Sequence, residues 1–386
     1  MAILVLNLGS SSLKAAVFDA SGTERLWSAS HSGLGDVGAW LEPALAPWWD
    51  QLSRAGHRVV HGGERFRAPT PINASTLPEL EALSPLAPLH NPPALAAIGW
   101  LQQRQPDLPQ WACFDTTFLA TLPEAAYSYA IPQPLRQQGY RRFGFHGINH
   151  QHVAEQAPGP RLISVHLGGG CSVAAIAAGR CIDTSMGFTP MEGLVMATRS
   201  GSIDPGLLLA LLQTGLDASD LGETLNHQSG LAGLSGLSGD WTELRAAAAQ
   251  GHNGAQLAVE VFVHRLKAGI AAMAASLGGI DQIALSGGIG ANDTQLLEQL
   301  QAEMSWLGSV QWLQIPADEE GMIARLISDQ ADQGFGAAGG LDAGDRHSAD
   351  QGPAHRQSPG TCVPRARERA HQRCAPSTLR SRRDGR

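Results

Sequence analysis

Apolar residues run from Ile3 to Leu8 with one polar break at Asn7, stop at Gly9-Ser10-Ser11-Ser12, and resume from Leu13 to Phe18. The pattern returns in mid-chain. Leu162-Ile163-Ser164-Val165-His166-Leu167 leads into Gly168-Gly169-Gly170-Cys171-Ser172, and a second apolar run follows from Val173 to Ala178. Each stretch reads as strand, tight turn, strand, which predicts a β-hairpin. Gly and Ser let backbone N–H groups approach an anion closely, so both turns suit phosphate oxygens. Two such loops on two similar units predict a nucleotide clamped between duplicated halves.

The remaining pattern alternates strands with helices. A helix is predicted around 40–53, then a strand at Arg58-Val59-Val60 that ends in His61-Gly62-Gly63. A Pro-rich helical region spans 77–101, and a strand near 111–114 ends at Asp115. Helices are predicted over 204–213, 242–250 and 255–277; the last is Ala-rich and apolar on several faces, which predicts burial. A strand at 282–285 feeds Ser286-Gly287-Gly288-Ile289-Gly290, and a helix follows. Strands that end in polar loops, interleaved with helices, make an α/β architecture. The expected units are 1–146, 147–330 and a tail over 331–386.

Composition narrows the class. A chain of 386 residues, 43% hydrophobic and 16% charged, suits a soluble globular protein with two large cores. No apolar run is long enough to span a bilayer. The first residues lack the basic start of a leader peptide. Five cysteines show no C-x-x-C spacing, which predicts idle thiols in a reducing cytoplasm. The net charge of −8 argues against a nucleic-acid partner, and nothing predicts a membrane partner. From Leu341 onward, however, ten Arg stand against five Asp or Glu, with no Ile, Phe, Trp, Tyr or Met. That composition predicts a disordered, Arg-rich tail, and it also matches a GC-rich gene read out of frame.

Candidate chemistry gathers at the loops. The segment Ser286 to Asp293 lies between strand and helix, where a helix N-terminus can meet phosphate or ribose. It lacks the Gly-Lys-Ser/Thr of a Walker loop and the spacing of a Rossmann fingerprint. Lys occurs only at Lys14 and Lys267. Lys14, just past the first turn, reads as a phosphate contact or as a solvated hairpin lysine. Arg199 lies in a turn-rich loop, where it can brace a phosphoryl group or pair with Asp204. Arg58 carries the same ambiguity. His90, His146 and His166 each stand beside a Gly or Pro turn without a His or Cys partner at ligand spacing, which favours a shared anionic site over zinc. Asp115 is placed to face a cleft. Glu319 reads as a metal ligand or as an N-terminal helix charge.

Four motifs are specific: Phe114-Asp115-Thr116-Thr117-Phe118, Phe143-Gly144-Phe145-His146-Gly147, Asp183-Thr184-Ser185-Met186-Gly187-Phe188-Thr189-Pro190-Met191-Glu192-Gly193-Leu194, and Leu285-Ser286-Gly287-Gly288-Ile289-Gly290. From Met1 to about Gln330 the chain resembles the acetate kinase family, within the superfamily of acetate and sugar kinases, heat-shock chaperones and actin. The resemblance implies an α/β fold of duplicated actin-like (ribonuclease H-like) domains with a nucleotide cleft between them. It implies direct, reversible transfer of the ATP γ-phosphoryl group to acetate, with Mg²⁺ or Mn²⁺, in a homodimer. By position it implies Arg58, Asp115, His146 and Arg199 as catalytic residues and Asn7 and Glu319 as metal residues. Val60, Leu89, His90, Phe145 and Pro190, with Arg58, match the substrate pocket. Ser10, Ser12 and Lys14 match ATP contacts. So do His166, Leu167, Gly168, Gly169 and Gly170, then Asp240, Trp241 and Thr242, and finally Gly287, Gly288, Ile289, Gly290 and Ala291. Departures are Gly169 in place of Asn, Thr242 in place of Arg, Ala291 in place of Glu, and a shortened span from Lys14 to Arg58. Competing readings are a propionate or short-chain acyl kinase and, in another class, a non-catalytic ATP-binding switch or an inactive copy.

Overall fold

The first hairpin forms where its pattern places it. Strands β1 (Ala2–Leu8) and β2 (Ser12–Asp19) pair antiparallel, with Leu8 opposite Leu13. Strand β3 (Arg25–Ser32) extends the meander, β4 (Leu52–Val59) lies parallel to β1, and the short β5 (Thr70–Pro71) caps β6 (Gln110–Phe114), which is parallel to β4. The sheet order is β3-β2-β1-β4-β6-β5. The second hairpin repeats the plan with β7 (Arg161–Leu167), β8 (Cys171–Ala177) and β9 (Arg180–Thr184), followed by β10 (Gln282–Ser286) and β11 (Gln311–Gln314). Its order is β11-β10-β7-β8-β9, with β10 parallel to β7 and to β11. Each half is therefore a three-stranded meander with two parallel strands added beside its first strand. The computed structural model describes residues 1–9, 12–33, 37–328 and 330. The expectations for Ser10 and for the 331–386 tail fall outside the described residues, and Ser12 is described only as the first residue of β2.

Continuous rather than alternating apolar runs make strands covered on both faces, and every residue of β1 is buried. One face of the first sheet packs on Leu41, Leu45, Ala97 and Leu101; the other packs on Met322, Ile323, Ala324 and Ile327 of the helix Glu319–Ser328. The second sheet packs on the long helix Asn253–Leu277 through Phe262, Leu266 and Ile270.

Three elements differ from their sequence patterns. The helix expected over 40–53 is Val37–Leu45, then a 3₁₀ turn at Trp49–Gln51, and Leu52 already opens β4. Pro47 disfavours helical backbone at Ala46, so the helix stops there. The helix Asn253–Leu277 buries only one side: Leu257 is 49% exposed, and Ala268 and Ala272 are exposed. Small Ala side chains make its outer face look core-like in sequence. The helix Glu319–Ser328, expected with the second half, packs across β1 and β4 of the first sheet. Among the described residues no helix is long and apolar enough to cross a membrane.

Candidate active site

The parallel strands of both sheets deliver their ends to one cleft of about 350 Å³. Arg58 comes from the end of β4 and Asp115 directly follows β6. His166 lies near the end of β7, and Gly287 follows β10. Loops beyond strand ends are where α/β sheets place ligands, because the chain there is free of ladder bonds. The hairpin registers match: Asn7 sits opposite Lys14 in the first, His166 opposite Ser172 in the second.

Arg58 and Asp115 form a two-pronged pair, Nε to Oδ1 at 2.9 Å and Nη2 to Oδ2 at 2.6 Å, with Asp115 fully buried. Burial pushes the Asp115 carboxyl upward, and the guanidinium opposes it. Two charge-assisted bonds of this length require the carboxylate form. Burial also opposes the charge on Arg58, but Asp115, Glu319 and Glu320 outweigh it and raise its pKa further. Arg58 Nη1 also donates to Asn7 Oδ1 at 3.1 Å. Arg199 is held differently: its Nη1 donates to the Pro190 carbonyl at 2.6 Å. Asp204 does not pair with it; its carboxylate accepts from Leu207 N–H and caps the helix Pro205–Gln213. A Cβ on Gly170 would stand 3.0 Å from both Arg199 Nη2 and His146 Nε2, so the two heads converge at the second hairpin turn.

His146 has φ 58°, a left-handed backbone that a non-glycine residue rarely adopts. It precedes the helix Gly147–Gln156, and Gly147 N–H donates to the Asp115 carbonyl at 2.8 Å. The His146 and His166 rings stack at 4.2 Å, and His166 Nδ1 is buried without a partner among the described residues. Burial comes first among the causes that keep these imidazoles neutral: it drives His166 to about 4 and His90 to about 3, and takes His146 well below its ordinary value.

Glu319 and Glu320 accept hydrogen bonds from Asn7 Nδ2 at 2.8 and 2.6 Å. Burial opposes ionisation of Glu319, but Arg58 and the Asn7 amide hold its carboxyl at about 2. Carboxylate and amide oxygens are hard donors that suit Mg²⁺, which keeps waters and takes few protein ligands. Among the described residues no group of three His, Cys, Asp or Glu makes a full cage; the Glu319 carboxylate lines the cleft, where it would meet a cation carried on substrate oxygens.

Lys14, Arg58, Asp115, His90, His146, His166, Arg199 and Glu319 all line the cleft. So do Val60, Phe145 and Pro190, which form an apolar wall, and the glycines Gly168, Gly169, Gly170, Gly287 and Gly288. Other expected residues stand apart. Leu89 lines an adjoining cavity with His90 and Pro190. Asn7 lies behind Glu319, and the Leu167 side chain is in the core. Ile289, Gly290 and Ala291 continue the short turn after Gly287 without lining the cleft. Asp240 caps the helix Trp241–Ala249, Thr242 is exposed, and Trp241 turns its ring onto Phe262 and donates to Asp293. Glu320 and His150 join the site unannounced by any motif, and Ser172, read only as the end of the second Gly-rich turn, joins it through His146 and His150. Their partners lie outside their own local segments, and only Glu320, beside Glu319, and Ser172, in the turn, had a local signal.

Residues 41–323 match the model of the acetokinase family. The chain is 42% identical over 355 residues to acetate kinase from Synechococcus sp., across 80% of this chain and 88% of that one. It is 43% identical over 346 residues to acetate kinase from Deinococcus deserti, across 80% and 86%. The structure overlays that of Porphyromonas gingivalis acetate kinase with a TM-score of 0.77 at 32% identity, covering 84% of this chain and 98% of that one. It overlays a propionate kinase from Francisella tularensis with a TM-score of 0.79 at 34% identity, covering 84% and 98%. With its two repeated sheets, its cleft and these relatives, the chain belongs to the acetokinase family.

Proposed function

We propose that this protein transfers the γ-phosphoryl group of ATP to acetate, reversibly and in line, giving acetyl phosphate and ADP. The observation that carries this reading is the juxtaposition of Arg58, Arg199, Asp115 and Glu319 with a small apolar wall in one cleft. Phosphoryl transfer asks a protein for positioning and charge neutralisation more than for covalent help. A carboxylate that attacks a polyanion must be shielded from it. Arg58 and Arg199 supply that shield, and Asp115 locks Arg58 in place rather than acting as a base, because acetate has no proton to give up. The acetate oxygen attacks phosphorus, the bond to the β–γ bridging oxygen breaks, and ADP leaves. His146 and the backbone N–H groups of Gly169 and Gly170 face the moving phosphoryl oxygens, while Gly168 N–H closes the turn on the Gly170 carbonyl. Mg²⁺, held by Glu319 with Asn7 behind it, would neutralise phosphate charge. Val60, Phe145 and Pro190 receive the methyl group. Residues 1–146 supply most of the acceptor side and 147–330 most of the nucleotide side.

Propionate is the second acceptor to weigh, since a relative of similar fold carries the name propionate kinase. One methylene in an apolar pocket is worth only about 1–3 kcal/mol. The test is acetyl hydroxamate formation by purified protein from acetate, ATP and Mg²⁺ with hydroxylamine. Absence of product with acetate and with propionate overturns the kinase reading; a strong preference for propionate replaces the acceptor alone.

A further inference from the structure

Two histidines one helical turn apart, His146 and His150, turn onto the second sheet. His150 Nδ1 lies 2.8 Å from Ser164 Oγ on β7, and His150 Nε2 lies 2.8 Å from Ser172 Oγ on β8. The same Ser172 hydroxyl lies 2.9 Å from His146 Nδ1. His150, Ser164 and Ser172 have no exposed surface. Among the described residues neither hydroxyl has another side-chain or backbone partner.

With neutral rings the hydrogens of this chain run in one of two directions. If His146 Nδ1–H donates to Ser172, then Ser172 donates to His150 Nε2 and His150 Nδ1–H donates to Ser164. The Ser164 hydroxyl hydrogen is then buried with no acceptor. In the opposite direction Ser164 donates to His150 Nδ1, His150 Nε2–H donates to Ser172, and Ser172 donates to His146 Nδ1. Every buried hydrogen now has an acceptor, and His146 carries its remaining hydrogen on Nε2, the atom that converges with Arg199 at Gly170. An unpaired buried donor forfeits its hydration for nothing, so the second direction wins.

We propose that Ser164, His150 and Ser172 form a one-way relay that holds His146 as the neutral Nε2–H tautomer, a hydrogen-bond donor aimed into the cleft. The relay residues are positioning residues, and only His146 meets substrate. The donor role rests on the phosphoryl-transfer reading of the cleft; the tautomer does not. Burial disfavours the imidazolium form of both rings, and at His146 the charges of Arg58 and Arg199 add to it. A neutral donor strengthens its bond as charge gathers on a phosphoryl oxygen, and it adds no third cation beside Arg58 and Arg199.

The test is long-range proton–nitrogen NMR on the full chain with ¹⁵N-labelled histidine at pH 7.5, with His146 assigned by its loss in His146→Gln. A single Nε2–H tautomer at His146 is expected; an Nδ1–H tautomer or an imidazolium overturns the proposal. Ser164→Ala removes the hydroxyl that sets the direction without touching His146. It should give mixed tautomers at His146 and lower kcat by roughly tenfold or more, with KM for both substrates within about twofold. Ser164→Thr, which restores the hydroxyl, should return the Nε2–H form. An unchanged His146 tautomer in Ser164→Ala overturns the relay, whatever happens to activity. If the wild type forms no acetyl phosphate, the proposed function fails, and the NMR result still decides the tautomer.

Discussion

Arg58 and Arg199 look alike as loop arginines, but their surroundings make them different residues. Arg58 neutralises a carboxylate that has no exposed surface, while among the described residues Arg199 bonds only the Pro190 backbone carbonyl. Removing one partner of a buried ion pair costs about 3–5 kcal/mol, because the other charge is stranded. Both Arg→Ala variants should lose turnover by about 10³-fold or more, the usual worth of an arginine at a transferring phosphoryl group. Thermal melting separates them: Arg199→Ala should melt near the wild type and Arg58→Ala several degrees lower. Equal melting points would contradict the stranded-carboxylate argument. Val60 is 3% exposed and lines the cleft with Phe145 and Pro190. Val60→Ala removes two methyl groups, more than the one methylene that separates propionate from acetate, so the ratio of kcat/KM for propionate over acetate should rise by about tenfold. An unchanged ratio would remove Val60 from the acceptor pocket.

Among the elements, the helix Gly147–Gln156 does the most positioning. Its first residue bonds Asp115, the residue before it is His146, and its second turn presents His150 to the relay. A Cβ on Gly147 would lie 2.1 Å from the Asp115 carbonyl oxygen. Real side chains never come that close, so Gly147→Ala must push the helix away from β6, at an overpacking cost of about 1–3 kcal/mol or more. A lower melting temperature and a turnover loss without any change at a contacting side chain are expected; wild-type values for both would show that the helix start yields freely. The second hairpin turn is the opposite case. A Cβ on Gly169 meets nothing within 4 Å, and the family resemblance places Asn there. Gly169→Asn should fold normally and lower the KM for ATP by adding a side-chain donor; a raised KM would mean that the open space is needed by the nucleotide itself.

At the scale of the molecule, the buried imidazoles couple folding to pH. His57 and His61 titrate at about 4 and His150 at about 3, against 6.5 for a free side chain, and burial is the leading cause in each. Because the unfolded chain takes up these protons first, stability is fully present above about pH 6.5. It falls as pH drops from there toward 4, by at most about 1.4 kcal/mol per pH unit for each group. Melting temperature measured from pH 7.5 to 4 should therefore decline through that window. A flat profile would mean that these rings are not held neutral. Glu319 works in the same direction only at lower pH, since its carboxyl stays ionised down to about 2.

Sequence alone determined the two hairpins, the strand–helix order and the identity of most cleft residues. Those features are written locally: unbroken apolar runs for strands covered on both faces, and Gly and Ser where backbone must approach an anion. Tertiary structure alone decided the rest. It brought Asn7 within hydrogen-bond reach of Glu319 and Glu320, more than three hundred positions away, and it laid the helix Glu319–Ser328 on the first sheet instead of the second. It turned the Trp241 ring into the core against Phe262, and it exposed one side of an Ala-rich helix that looked buried. It also closed the hydroxyl–imidazole chain from Ser164 to His146. None of these follows from spacing, because periodicity encodes which face of an element is apolar and not which distant surface will cover it. That choice is made by close packing and by the need of every buried polar group for a partner.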